Sequence, residues 1–211
     1  MKITEIFESI QGEGRHAGLP MTFIRFAGCN LRCKYCDTGY AWEGGTENSL
    51  DDVTRLCLSK PWKHVQLTGG EPLLQPEIPE LCQRLVENRK IVVLETNGTM
   101  DISSVPKHVI KIMDIKTPGS GYESKNDPLN IGRLDFKDDV KFVITSREDF
   151  DWACERSRAL NLFSGGGVLF SAATPMVKPS DLAQWILQAG VPVRFNPQVH
   201  RHIWPDQPRG R

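Results

Sequence analysis

Neither sign of charge is in excess in this sequence. Lysine plus arginine number 26, aspartate plus glutamate number 26, and the formal net charge is zero. That balance excludes the broad basic face of a general nucleic-acid or acidic-membrane binder. Also missing is any apolar run long enough to span a bilayer, and the opening MKITEIFESIQGEG has no signal-peptide apolar segment, so a cytoplasmic chain is expected. No internal repeat, low-complexity tract or clean linker interrupts the 211 residues, which are enough for one domain with a sizeable core. With 39% hydrophobic and 25% charged residues the composition is ordinary for a globular protein. In a reducing compartment the six cysteines are expected to bind metal, do redox work or fill core rather than form disulfides.

Short β-rich runs recur at 22–26, 64–68, 91–95, 109–115, 140–145, 168–171 and 191–195. Between several of them lie helical patterns. Ile78, Leu81, Cys82, Leu85 and Val86 mark one apolar helix face. Phe150, Ala153, Cys154, Ser157 and Leu160 repeat the spacing more weakly, and Leu50, Val53, Leu56 and Cys57 make a shorter helix. Leu182, Trp185, Ile186 and Ala189 form another, opened by Pro179 and Ser180 and closed by Gly190. Strand–helix–strand alternation predicts βαβ units and a largely parallel sheet. Helices are too few for a full eightfold barrel, so the reading is an α/β fold with an incomplete barrel or an open sheet. Segments 37–48 and 117–138 break the pattern; the second is a long loop of the kind that is functional or mobile.

Three cysteines, Cys29, Cys33 and Cys36, stand within the stretch CNLRCKYC as C-x3-C-x2-C. Thiolates suit zinc or iron–sulfur clusters. A structural zinc wants four closed ligands, commonly as two separated pairs, and nothing is spaced to supply the fourth, although His16 or a distant cysteine remains available. A [4Fe–4S] cube held by three thiolates leaves one iron open to bind a small molecule. Cys57, Cys82 and Cys154 are scattered on apolar helix faces and read as small buried hydrophobes. A second stretch, HVQLTGGEPLLQ, ends a strand in Gly69, Gly70 and Glu71, at the end where β/α folds gather their sites. The two glycines permit close backbone approach to a ligand, and Glu71 offers an acceptor for an ammonium group. Glu95 and Asn97 close the next strand; Asp114, Lys116 and Ser171 end later ones, where ordinary strand capping is the competing explanation.

CNLRCKYC, with Tyr35 before its last cysteine, resembles the cluster loop of the radical S-adenosylmethionine superfamily. The resemblance implies an incomplete TIM-type β/α barrel of about six parallel strands with a reduced helix count. It implies that Cys29, Cys33 and Cys36 hold a [4Fe–4S] cluster whose fourth iron is chelated by S-adenosylmethionine. Reduction would then give a 5′-deoxyadenosyl radical. Gly69, Gly70 and Glu71 resemble the family motif that receives the cofactor's amino group. Glu95, Asn97, Asp114, Lys116 and Ser171 are the further expected cofactor contacts.

The two ends narrow the resemblance. ESIQGEG near the start and NPQVHRHIWP near the finish are similar to the branch that contracts a reduced pterin in queuosine-type 7-deazapurine biosynthesis. That branch is a set of lyases turning 6-carboxy-5,6,7,8-tetrahydropterin into 7-carboxy-7-deazaguanine and ammonia, assisted by magnesium. By resemblance Gln11, Glu13, Arg25, Thr68 and His200 contact the substrate, and Thr38 offers a hydroxyl to magnesium that the substrate completes. The residue types suit the task. Gln11 both donates and accepts, Glu13 accepts from ring N–H groups, and Arg25 and His200 bind a carboxylate. The resemblance covers 1–211 as one domain, with the cluster loop at 28–38 and a C-terminal substrate segment at 195–205. It implies a homodimer, a flavodoxin- or ferredoxin-type electron donor, a small-molecule substrate, and neither nucleic acid nor membrane as partner. In some relatives a terminal carboxylate just after the histidine segment helps bind the pterin; here residues 206–211 follow, so that role passes to a nearby group. Two other readings stand beside this one. One is an activating enzyme that places a glycyl radical on a protein partner; the other is a non-catalytic zinc scaffold. For Arg25 and His200 themselves the plain alternative is a solvated strand residue and a surface histidine.

Overall fold

A computed structural model describes residues 1–207, 209 and 210. In chain order the strands are β1 (Lys2–Ile10), β2 (Pro20–Phe26), β3 (Thr46–Glu47), β4 (His64–Gly69), β5 (Ile91–Thr96), β6 (Ile110–Asp114), β7 (Asp139–Ile144), β8 (Gly167–Ala172) and β9 (Arg194–Phe195). The α-helices are α1 (Leu50–Ser59), α2 (Ile78–Glu87), α3 (Arg147–Ala159), α4 (Pro179–Ala189) and α5 (Val199–Ile203). The strands make one sheet in the order β3-β1-β2-β4-β5-β6-β7-β8-β9. From β2 to β9 every neighbour is parallel, while β1 and β3 add an antiparallel edge. The sheet is therefore the expected partial barrel. All seven β-rich runs are strands, the last shortened to Arg194–Phe195. β1 was not expected, because its mixed polar and apolar residues show no clean alternation.

Local chemistry accounts for the helices. Ser49 caps α1 by accepting from the Asp52 N–H at 3.1 Å, and Ser146 caps α3 by accepting from Asp149 N–H at 3.3 Å. α4 begins at Pro179 and stops at Gly190, whose φ of 58° is the left-handed stop a glycine takes without strain. The α helices α1 to α4 press on the outer face of the sheet. There Val65, Leu67, Val92, Leu94, Val140, Phe142, Val168 and Phe170 meet Cys57, Leu81, Cys82, Leu85, Phe150 and Leu182. Phe170 packs edge-on against Phe142 and Phe150 at centroid distances of 5.5 and 5.7 Å, and burying each such ring contributes about 1.5–3 kcal/mol. Cys57, Cys82 and Cys154 lie in this core as expected.

Two crossovers lack an α-helix, which leaves the barrel short of helices. Between β6 and β7 the stretch 117–138 forms short 3-10 turns tied down by buried side chains. Asp149 accepts from the Thr117 hydroxyl and the Gly119 N–H, both at 2.9 Å, and Asn130 donates to the Met100 carbonyl at 2.7 Å. No helix among the described residues is long and apolar enough to cross a membrane.

Candidate active site

Strand alternation turns the other face of the same sheet inward. Low on that face Val93, Ile112 and Leu169 form a small apolar plug. Above it, at the carboxyl ends of the parallel strands, lies a cavity of about 220 Å³. Every expected cluster, cofactor, substrate and magnesium contact lines it, with one exception.

The cluster loop forms one wall. Cys29, Cys33 and Cys36 all face the cavity. The loop is pinned at its base, where Gly28 N–H donates to the Ala41 carbonyl and Glu71 N–H donates to the Gly28 carbonyl, both at 2.8 Å. Gly70 makes this approach possible, since a β-carbon there would stand 2.0 Å from the Gly28 carbonyl oxygen. Burial pushes the Cys33 and Cys36 thiols up, so as free thiols they hold their protons. Among the described residues no three His, Cys, Asp or Glu side chains are gathered tightly enough for one metal ion. A lone zinc draws four donors onto a single point, whereas a cube of four irons spreads its ligands over separate corners. His16 is not part of this wall; its ring lies 5.5 Å from that of His64, at the opposite end of β4.

Beside the thiols, β6 ends in an ion pair between Lys116 Nζ and Asp114 Oδ2 at 3.0 Å. Burial works against the Lys116 charge, and its neighbours, Asp114 foremost, together more than offset it, so the ammonium stays charged. The other Asp114 oxygen and the Tyr35 hydroxyl are buried without a partner among the described residues, and both residues line the cavity. Unpaired buried polar atoms at a cavity wall mark places where a ligand's donors and acceptors belong. With three thiols on the same wall, the donor set fits an iron–sulfur cluster and a polar ligand next to it.

The facing wall comes from the N-terminal turn and the C-terminal helix. Gln11 donates to Gln66 Oε1 at 2.9 Å and accepts from Glu13 N–H at 3.1 Å. Glu13 accepts from Lys141 Nζ at 3.1 Å, Asn196 Nδ2 at 3.2 Å and Gln198 Nε2 at 2.9 Å. The Arg25 Nε donates to Glu5 at 2.7 Å, and the Tyr40 hydroxyl donates to the same oxygen at 2.7 Å. Thr68 donates to Glu95 at 3.1 Å, and Glu95 pairs with Lys141. Ser171 accepts from Asn196 at 2.8 Å. His200 packs so tightly on Gly12 that a β-carbon there would meet its Nδ1 at 2.2 Å. Burial lowers the His200 pKa, keeping the ring neutral at pH 7. The Thr38 hydroxyl donates to Asp37 at 2.8 Å, and Asp37 in turn holds Gln198 at 3.2 Å and Arg201 at 2.8 Å. Through Asp37 the cluster loop is joined to α5. Asn97 donates to Asn30 at 2.8 Å on the rim of the cluster loop.

Glu71 is the exception and a correction. It is fully buried behind the wall rather than open to the cavity. Its carboxylate accepts from Leu73 N–H at 3.0 Å, the Thr96 hydroxyl at 2.9 Å and Asn97 N–H at 2.7 Å. Burial pushes this carboxyl up, and those donors pull it back. In this arrangement Glu71 braces the glycine turn against β5. Of the continuation 206–211, Pro208 and Arg211 lie outside the described residues. The Arg209 guanidinium sits 4.4 Å from the centroid of the Tyr40 ring, and Gly210 N–H donates to Glu5 at 3.1 Å.

Sequence reasoning missed Lys141, Asp37, Asn196 and Gln198. A signal for Lys141 was present: a lysine in the middle of an apolar run on a strand with both faces covered has no route to water.

Known proteins share this sequence pattern and this fold. The family model for the radical SAM superfamily matches residues 23–170. The chain is 37% identical, over all of both chains, to a 7-carboxy-7-deazaguanine synthase of Koribacter versatilis. It is 36% identical to one of Chlorobaculum tepidum, covering 100% of this chain and 97% of that one. Among solved structures, QueE from Escherichia coli superposes with a TM-score of 0.75 over 92% of each chain at 22% identity, a likeness of fold.

Proposed function

Because the chain belongs to the radical SAM superfamily and, within it, to the 7-carboxy-7-deazaguanine synthases, we propose that its cavity contracts 6-carboxy-5,6,7,8-tetrahydropterin to 7-carboxy-7-deazaguanine with loss of ammonia. Substrate equals product plus ammonia, so the reaction needs no net oxidant. A [4Fe–4S] cluster and S-adenosylmethionine are the family's cofactors, and when bound they supply the electron and the carbon radical that start the chemistry. The observation that carries the reading is the division of one cavity into two walls. One carries three thiols and the other a set of paired donors and acceptors suited to a flat, carboxylated heterocycle.

In this reading Cys29, Cys33 and Cys36 hold the cluster. Gly69, Gly70, Glu95, Asn97, Asp114, Lys116 and Ser171 surround the cofactor, with Tyr35 beside it. Gln11 and Glu13 meet the hydrogen-bonding edge of the pterin. Arg25, its Nε held by Glu5, turns its two terminal nitrogens to the substrate carboxylate, with neutral His200 and Thr68 nearby. Thr38 would offer its hydroxyl to magnesium, an ion that prefers oxygen ligands. A homodimer, a flavodoxin- or ferredoxin-type donor and residence in the cytoplasm belong to the same proposal. The test is anaerobic turnover of the reduced, cluster-loaded protein with S-adenosylmethionine, magnesium and the carboxy-tetrahydropterin. Formation of 7-carboxy-7-deazaguanine and ammonia in equal amounts is expected. Accumulation of 5′-deoxyadenosine with no deazapurine overturns the substrate assignment.

A further inference from the structure

Lys141 stands where a lysine is costly. It lies mid-strand on β7, 6% exposed, in register with Asp114 of β6, and its ammonium faces the cavity. Its nitrogen bridges two carboxylates from different parts of the chain: Glu13 at 3.1 Å from the turn after β1, and Glu95 from the end of β5. An ion cluster centred on a buried ammonium gains little stability over well-packed hydrocarbon, so its retention asks for another reason. We propose that Lys141 is a positioning residue for this site, holding Glu13 and Glu95 side by side as ionised acceptors so that the donor edge of the substrate meets a carboxylate at neutral pH. The inference rests on the pterin reading above.

The charges around the pair support it. Burial works against the Lys141 ammonium, and Glu13, Glu95 and Asp114 on β6 more than offset it. Burial works against the Glu95 charge too, and Lys141, with Arg25 on β2, outweighs it. From α5, His200 faces both carboxylates but is neutral at pH 7. Lys116 is already committed to Asp114. Without the Lys141 cation, two carboxylates would face one space with only 16% and 28% of their side-chain surfaces in water, and such a pair holds one proton to higher pH than a lone carboxylate does.

The test compares Lys141→Met and Lys141→Arg with the parent as cluster-loaded proteins, titrated with the carboxy-tetrahydropterin by calorimetry from pH 6 to 8.5. Lys141→Met is expected to bind about tenfold more weakly at pH 7 and to recover affinity as the pH rises. The parent and Lys141→Arg are expected to share one pH profile. Infrared titration of carboxyl groups provides a readout without ligand: a protonated carboxyl titrating near neutrality in Lys141→Met and absent from the parent. Should the parent itself fail to bind the pterin, the functional reading falls, while the infrared titration still decides the role of Lys141. Should Lys141→Met not fold, the double variant Lys141→Met with Glu95→Gln removes the repulsion and is expected to fold and show no such carboxyl. A protonated carboxyl persisting in the double variant, or parental affinity and pH response in Lys141→Met, overturns the proposal.

Discussion

On β4, β5, β7 and β8 the two faces of the same strand are built to different ends. The helix-facing side carries Val65 and Leu67, Val92 and Leu94, Val140 and Phe142, Val168 and Phe170, all buried and all hydrocarbon. One residue out of phase, the inner side carries Gln66, buried behind Gln11, and the cavity-lining Thr68, Glu95, Lys141 and Ser171. Apart from Glu95, whose side chain is 28% exposed, both sets are shielded from bulk water, so burial alone does not separate them. A parallel sheet covered on both sides ordinarily reads as a continuous apolar run. The departure on the inner face therefore marks where chemistry displaced packing. The outer face lowers the free energy of the fold. The inner face holds polar groups whose desolvation cost is met only by one another and, in the proposed function, by ligands.

The sharpest way to break this comparison is to remove one residue from the cavity wall and one from the outer face. Cys33→Ala is expected to abolish turnover and to leave the anaerobically purified protein short of the roughly four irons and four sulfides per chain of a complete cluster. Its cost to the cluster-free fold is expected to be only about 1 kcal/mol. Phe170→Ala, on the other face of β8, is expected to cost about 3–5 kcal/mol in chemical denaturation. The cluster loop and its cysteine spacing are untouched by that change, so whatever protein remains folded still takes up iron. A Cys33→Ala protein with full iron and activity removes the cysteine from the site. A Phe170→Ala protein as stable as the parent removes the outer face from the account of stability.

A milder change sharpens the inner face itself. Gln11→Ala is expected to weaken pterin binding by about 1–3 kcal/mol, because it also leaves the buried Gln66 oxygen without its donor. Iron content and S-adenosylmethionine binding are expected to stay as they are. Unchanged pterin affinity in calorimetry takes Gln11 out of the substrate wall.

The outer face was readable in the sequence because its signals are local. β-branched runs, helix spacing at Ile78 to Val86 and the Pro179 and Gly190 stops need no knowledge of distant residues. The three cysteines were readable for the same reason. Two kinds of feature were not. Lys141 is defined by Glu13, 128 positions away, and by Glu95, so nothing around it in the chain announces its partners. The local motif around Glu71 points to an acceptor open to a ligand. Whether its carboxylate turns outward or back to Asn97 N–H depends on how β4 and β5 meet. β1 escaped because most of its residues are only half-buried, polar and apolar ones alike, so no alternation of an inner and an outer face shows in its sequence.

The smallest expected effect lies at the far end of the sheet, where Asp138 precedes β7. There a buried carboxylate is saturated by protein alone. Its Oδ1 accepts from Lys111 N–H at 2.8 Å and from Lys137 Nζ at 3.1 Å. Its Oδ2 accepts from Asp135 N–H at 2.9 Å and pairs with Lys111 Nζ at 2.9 Å. Burial works against this charge, but the donors outweigh it and hold the carboxyl below the ordinary aspartate value of 3.8. A carboxyl depressed by folding contributes stability that is present above its unfolded pKa and is lost as the pH falls through its folded one. Asp138→Asn is therefore expected to cost about 1 kcal/mol at pH 7, since the amide oxygen keeps part of the backbone bonding. The gap to the parent should close as the pH falls below about 4, where the parent's own carboxyl takes up its proton. Denaturation of the cluster-free chains at pH 7, 5 and 3 measures it. A gap that stays constant down to pH 3 means that Asp138 acts through shape rather than charge. The contrast between a carboxylate satisfied by its own chain and the carboxylates of the cavity would then lose its electrostatic footing.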